Sequence, residues 1–394
     1  MGQIPRPCAI AAILAGALGL APAQADTLRV GPDEAFATIA AAAEGVRNGD
    51  TVEILAGDYP GDVAVWRANG ITIRGLGGRP HISAAGRHVE GKGTWLVKGN
   101  DVTIEHIELS GAAVPSGNGV AIRVEGRNLS IRDCYLHHNQ MGLLAGIPDP
   151  LSTIRIERSE VAHSGGGTAL GHGIYVGDIG ELVVTGSHLH HASLGHNLKS
   201  RAARTSLYSN HIADEASGNS SYLVDTPNGG RLVMVGNILQ QGPQTDNYHL
   251  VRFGAEGIRH AHNEILAAHN TFVNLRPDGA MFLGTNGATR VLLVNNIFWG
   301  PGGFAGDVGD LSTNLRAADQ GLLDHIIAAP VFRNVAGFDF RLAPGSAAVD
   351  AGTDVGNIEG ADLWPRIEYV HPSSTRPRPT QGPLDIGAYE GTAD

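Results

Sequence analysis

Cysteine is scarce: the 394 residues hold two, and Cys8 precedes a short apolar run near the start. Residues 1–25 read as an export signal. Arg6 supplies positive charge, residues 8–20 are apolar, and Ala23-Gln24-Ala25 fits a small-residue cleavage site. Cleavage would leave Cys134 alone, which excludes an intramolecular disulfide. In "LSIRDCYL" that cysteine is expected to be a small buried residue rather than a nucleophile. Apolar runs long enough to cross a bilayer are missing. The expected product is a secreted or periplasmic monomer with no membrane span.

Aromatic residues make up only 5% of the chain, and helical periodicity is confined to residues 36–46. The formal net charge of −11 argues against a non-specific nucleic-acid binder. An acidic polymer becomes a partner only where positive charge is concentrated locally. Lysine is the rarest charged residue: Lys92, Lys98 and Lys199 are the only three among 28 lysines and arginines. Lys199 lies in "GHNLKSRAAR", beside Arg201 and Arg204, and so marks one place where charge is concentrated.

Glycine, by contrast, is abundant at 55 residues, and short β-branched or Leu-rich runs recur throughout. Each run is kinked once, at His106, Asp133, Arg158, Gly186, Ser209, Gly236, His269 and Asn295, with separations of 23 to 33 residues. Strands at that period without crossover helices indicate a solenoid. Stacking at about 4.8 Å joins the strands of successive coils into parallel sheets around one core. The fold expected is all-β, a right-handed parallel β-helix over residues 26–310 with an N-terminal capping helix. Residues 311–394 are expected to form a closing segment containing a mobile Pro-rich loop, "HPSSTRPRPTQGP". Asn210, Asn237, Asn270 and Asn296, like Gly236 and Asn295, suit left-handed or tight backbone at the bends. The opening "LRVGPDEAFATIAAAAEGVRNGDTVEILAGDYPG" and the tail "GPLDIGAYEG" resemble the ends of secreted pectate-lyase-like β-helices.

Aligning "ALGHGIYVG" with "SLGHNLKSR" places Tyr175 beside Lys199 on successive coils. Strand alternation then turns His172, Ile174, His196, Leu198, Tyr222 and Val224 inward. It turns Tyr175, Asn197, Lys199, Arg201, Leu223 and Asp225 outward, with Arg252 following on the same face. Tyr175, Lys199, Arg201 and Asp225 are the candidate catalytic residues, and Arg252, Asn197 and Arg204 the candidate substrate-binding ones. Such a row suits β-elimination from a uronate: a cation neutralises the carboxylate, a base removes the C5 proton, and an acid protonates the leaving oxygen. Lysine can be that base where cationic neighbours or desolvation favour its neutral form, whereas arginine stays protonated.

"HNLKSRAARTSLYSNHIAD" resembles the Lys-Ser strand and following turn of the chondroitinase B and alginate lyase family of polysaccharide lyases. The resemblance spans two coils and implies that Lys199 is the base. The family's acid is an arginine on the next coil, where this chain offers Asp225. The family's calcium-binding acids precede the lysine, where this chain has His190, His191 and Ser193. No cofactor is therefore assigned, and Ca2+ stays open.

Two other readings share the fold. One is a non-catalytic glycan-binding or structural β-helix. The other is a glycoside hydrolase, because "GHGIYVG" resembles the Gly-His-Gly strand of polygalacturonases, although no acid pair precedes it. His172 and His196 are expected to be a structural pair, and the outer group His188, His190 and His191 is assigned no metal.

Overall fold

The computed structural model describes residues 1–2, 25–167, 169–245, 247–317 and 331–391. Most of the expected export signal lies outside these residues. No helix among the described residues is long and apolar enough to cross a membrane.

Three parallel sheets of 11, 10 and 10 strands run the length of the molecule, and each coil contributes one strand to each sheet. A typical coil passes from Ile179–Thr185 in sheet 1 to His188–His190 in sheet 2 and Leu198–Ser200 in sheet 3. It then re-enters sheet 1 at Arg204–Tyr208. The result is a right-handed parallel β-helix. Inward side chains such as Ile174, Leu198, Val224 and Val251 are fully buried in one continuous core. Each such aliphatic side chain contributes about 1.5–3 kcal/mol on leaving water.

All eight kink residues read from the sequence have positive φ, from 44° at Arg158 to 70° at Gly236. The asparagines that follow them do something else. Asn210, Asn237, Asn270 and Asn296 are wholly buried and form a ladder. Asn237 Oδ1 accepts from both the backbone N–H and the side-chain amide of Asn210, while the Asn237 amide donates to Leu207 O and to Asn270 Oδ1. The expectation of left-handed backbone thus holds for Gly236 and Asn295, and the other four supply inter-coil hydrogen bonds. Ser187 and Ser159 continue the ladder downward, and Ser159 Oγ accepts from Cys134 N–H at 3.1 Å. Cys134 is buried, and that burial pushes its thiol up to about 12, as suits a core residue.

The helix Ile39–Gly45 covers the first coil with Ile39, Ala42 and Ala43. Its free N–H groups at Ile39 and Ala40 donate to the Asp62 carboxylate at 2.6 and 2.9 Å, and Thr38 Oγ accepts from Ala41.

At the other end, coils continue past residue 310, since Leu315–Ala317 still pairs with Ile297–Trp299. The tail then folds back along the outside. Phe332, Phe340, Tyr369 and Ile386 pack on Ile238, Val273 and Ile297 of sheet 2, and Ala361 and Leu363 pack on Val233 and Leu266 of sheet 1. Neither cluster includes a residue of sheet 3. Part of the Pro-rich stretch is a strand. Ser374–Pro377 pairs with Ile367–Val370, and buried Arg378 binds Glu390 at 2.9 Å. That ion pair anchors a segment whose composition alone reads as a loop.

Candidate active site

The face of sheet 3 left clear by the described residues of the tail carries the row expected from the sequence. Tyr175 pairs with Lys199, Lys199 with Asp225, and Asp225 with Arg252 on four successive coils. Arg201, just past its strand, leans back over the row. Its Nε donates to the Tyr175 hydroxyl at 3.1 Å, and its guanidinium also reaches Asn228. Arg252 comes next, and a Cβ at Gly284 would lie 2.8 Å from its Nη1, so that glycine keeps space for the guanidinium.

Lys199 Nζ lies 3.4 Å from Asp225 Oδ2 and 2.9 Å from Glu256 Oε1. The other Glu256 oxygen is 2.7 Å from Arg201 Nη2. The expected cationic surroundings of Lys199 are therefore corrected, because carboxylates are its closest charged partners. Glu256 was not found from the sequence. It sits in the loop after His249–Phe253, where its N–H donates to Pro227 O, beyond the reach of strand alternation. Burial works to raise its carboxyl, but hydrogen bonds and charge from Lys199 and Arg201 outweigh this and hold it below its usual range.

Asp225 behaves oppositely. Burial pushes it up to about 6 against the opposing charge of Lys199, and its side chain is only 3% exposed. A carboxyl so enclosed cannot reach a sugar. It orients Lys199 and lies 3.4 Å from His196 Nε2.

Three other expectations are corrected. Asn197 is 1% exposed, where its Oδ1 accepts from Ala192 N–H, so it is no substrate ligand. Arg204 belongs to sheet 1, paired with Glu181 at 3.3 Å. His172, His196 and Tyr222 stack in a column, with ring centroids 4.9 and 4.8 Å apart, flanking Asp225 rather than filling the core. Leu223 is the residue that enters the core. In each coil these residues precede the strand, so alternation does not apply to them. The pairing of His172 with His196 does hold. Each Nδ1 accepts a backbone N–H from the next coil, from His196 at 3.0 Å and from Tyr222 at 3.1 Å.

No protein-family model matches the sequence, and no curated protein matches it. Among solved structures, pectate lyase Pel9A superposes with a TM-score of 0.60 at 15% identity, covering 93% of this chain and 96% of that one. The chain has the pectate-lyase-like fold. Pectin methylesterases from carrot and Aspergillus niger align at TM-scores of 0.40 and 0.37 with 13% identity. They cover 75% and 76% of this chain, and 88% and 91% of their own, too distantly to bear on chemistry. The likeness to the chondroitinase B and alginate lyase family rests on its two-coil motif alone.

Proposed function

We propose that this chain is an exported polysaccharide lyase that cleaves a uronate polymer by β-elimination, with Lys199 as the base. One observation carries the reading. On the open face of sheet 3 a carboxylate, that of Glu256, is already held between Lys199 and Arg201. A uronate carboxylate can take the place of Glu256 on Arg201 alone. Its entry would expel Glu256, whose side chain is 44% exposed, and leave the sugar carboxylate on Arg201. That removes one of the two anions holding the Lys199 proton and sets the sugar's C5 hydrogen beside Nζ. Tyr175, whose oxygen accepts from Arg201, replaces Asp225 as the group that protonates the leaving oxygen.

The test is a panel of uronate polymers, with release of unsaturated ends followed by ultraviolet absorbance. Product from at least one polymer and none from neutral glucans is expected, whereas binding without product would refute lyase action. Glu256→Gln should tighten binding of uronate oligomers about 5-fold, the factor corresponding to ~1 kcal/mol for a partly exposed ion pair. Unchanged or weaker binding would show that Glu256 does not compete with substrate.

One observation favours the second reading, a glycan-binding protein without turnover. Lys92 and Lys98 are also each paired with two carboxylates, Glu90 and Glu125. Location on the open row, beside Arg201 and Tyr175, sets Lys199 apart.

A further inference from the structure

Sheet 2 carries a second polar centre on its outer face, beneath the tail. His188 and His211 occupy matching positions on adjacent coils, with ring centroids 4.8 Å apart and 2° between planes. They are 2% and 6% exposed. Both ring nitrogens of His188 and Nε2 of His211 are buried without a hydrogen-bond partner among the described residues. Buried nitrogens are nearly always paired, because desolvation without a partner is costly. One nitrogen from each of these two rings is therefore available to a shared ligand.

The tail delivers a third imidazole. His371 follows Ile367–Val370, is exposed, and sets its ring centroid 5.5 Å from that of His188. One nitrogen from each of the three rings lies within 4.8 Å of the others. The Tyr369 hydroxyl lies 3.4 Å from His371 Nδ1 and leaves Nε2 for another role. A carboxylate is also at hand, since Glu215 Oε1 is 3.8 Å from His188 Nε2. Glu215, His211 and His371 border an open cavity of about 520 Å³, which gives access from solvent.

We propose that His188, His211 and His371 bind a first-row divalent transition metal such as Zn2+, with Glu215 nearest to the fourth position. Imidazole nitrogens suit these ions, and three histidines with one further donor make a familiar tetrahedral set. Zinc–nitrogen bonds of about 2.0–2.1 Å place tetrahedral donors about 3.4 Å apart, so on loading the rings must close by roughly 1 Å and the parallel planes of His188 and His211 must tilt toward each other. His371, exposed at the end of its strand, has the freedom to do so. The ion would tie the tail to two coils. His190 and His191, grouped with His188 in the sequence, are engaged elsewhere: their Nδ1 atoms are 2.7 Å apart, and His190 Nε2 is 3.1 Å from Glu160.

The test uses the tag-free full chain, stripped with chelator and titrated calorimetrically with zinc chloride at neutral pH. One equivalent should bind and raise the melting temperature. His371→Ala changes an exposed residue and should keep the fold while weakening zinc at least about 100-fold, beyond what loss of an outer-shell partner usually costs. His188→Gln, checked for folding by circular dichroism, should do the same from the buried side. Absence of saturable zinc binding by the wild type would overturn the proposal. So would full-affinity binding by His371→Ala, which would place the ion among the other histidines.

Discussion

Lys199→Arg should abolish turnover while leaving substrate binding nearly intact. Arginine keeps the charge and most of the reach, but it cannot give up a proton to become a base. Loss of base catalysis costs about 10²–10⁴-fold in rate. Asp225 and Glu256 can still pair with the new guanidinium, so the site should remain assembled. Lys199→Ala should be equally inactive and should also bind uronate oligomers less well, because a cation close to the anionic polymer is gone. Single-turnover assays with circular dichroism controls separate lost chemistry from lost folding. An active Lys199→Arg enzyme would make Lys199 a carboxylate anchor and remove it from proton transfer.

The second large effect is loss of stability on acidification. Burial first, and then nearby positive charge, pushes His172 down to about 4 (Lys199 and Arg201) and His269 down to about 3 (Arg378). Burial, with His172 and Lys199, also holds His196 well below its usual value. The unfolded chain titrates these rings near the ordinary 6.5. Between that value and about 4 the unfolded state therefore binds more protons, so stability falls as pH falls. The contribution is complete above 6.5 and is lost by about 3–4. At about 1.4 kcal/mol per pKa unit, His172 should contribute on the order of 3 kcal/mol and His269 on the order of 5 kcal/mol. Asp214 and Asp225 act oppositely, because burial raises both to about 6 and lets the fold keep protons the unfolded chain releases above 3.8. Further histidines held low by burial, among them His163 and His249, outnumber the raised carboxyls Asp214, Asp225 and Glu390, which leaves a net loss. Urea denaturation from pH 7 to pH 4 should show a steadily falling midpoint. A midpoint that stays level or rises would mean that these rings are not held neutral.

The coil architecture was legible because a bend needs a left-handed residue once per turn, and that need recurs in the sequence. All eight chosen kinks fall at such residues. Within a strand, alternation is equally strict, so Tyr175, Lys199, Asp225 and Arg252 could be lined up from two short alignments. It failed just outside the strands. His196, Asn197 and Tyr222 lie in the turn before sheet 3, where hydrogen-bonding demand rather than pleat decides direction. Glu256 was hidden for a related reason, since it reaches Lys199 from a loop two coils away. Aligning the residues at the end of each sheet 3 strand, "SRAA", "TPNG" and "FGAEG", would have placed it near Arg201. In the tail, prolines suggest a loop and hide both the pairing of Ser374–Pro377 and the buried Arg378–Glu390 pair.

The asparagine ladder has an implication for how such a protein can grow. Each rung addresses only the coil above and the coil below, and none depends on the total number of coils. A duplicated segment that brings its own left-handed residue and following asparagine would find an acceptor waiting on one side and a donor on the other. Length could then change by whole turns without redesign, while an insertion of a few residues within a turn would break the chain of amides. Each added turn would also lengthen the outer row of sheet 3 by one side chain, so evolution could extend that face one coil at a time.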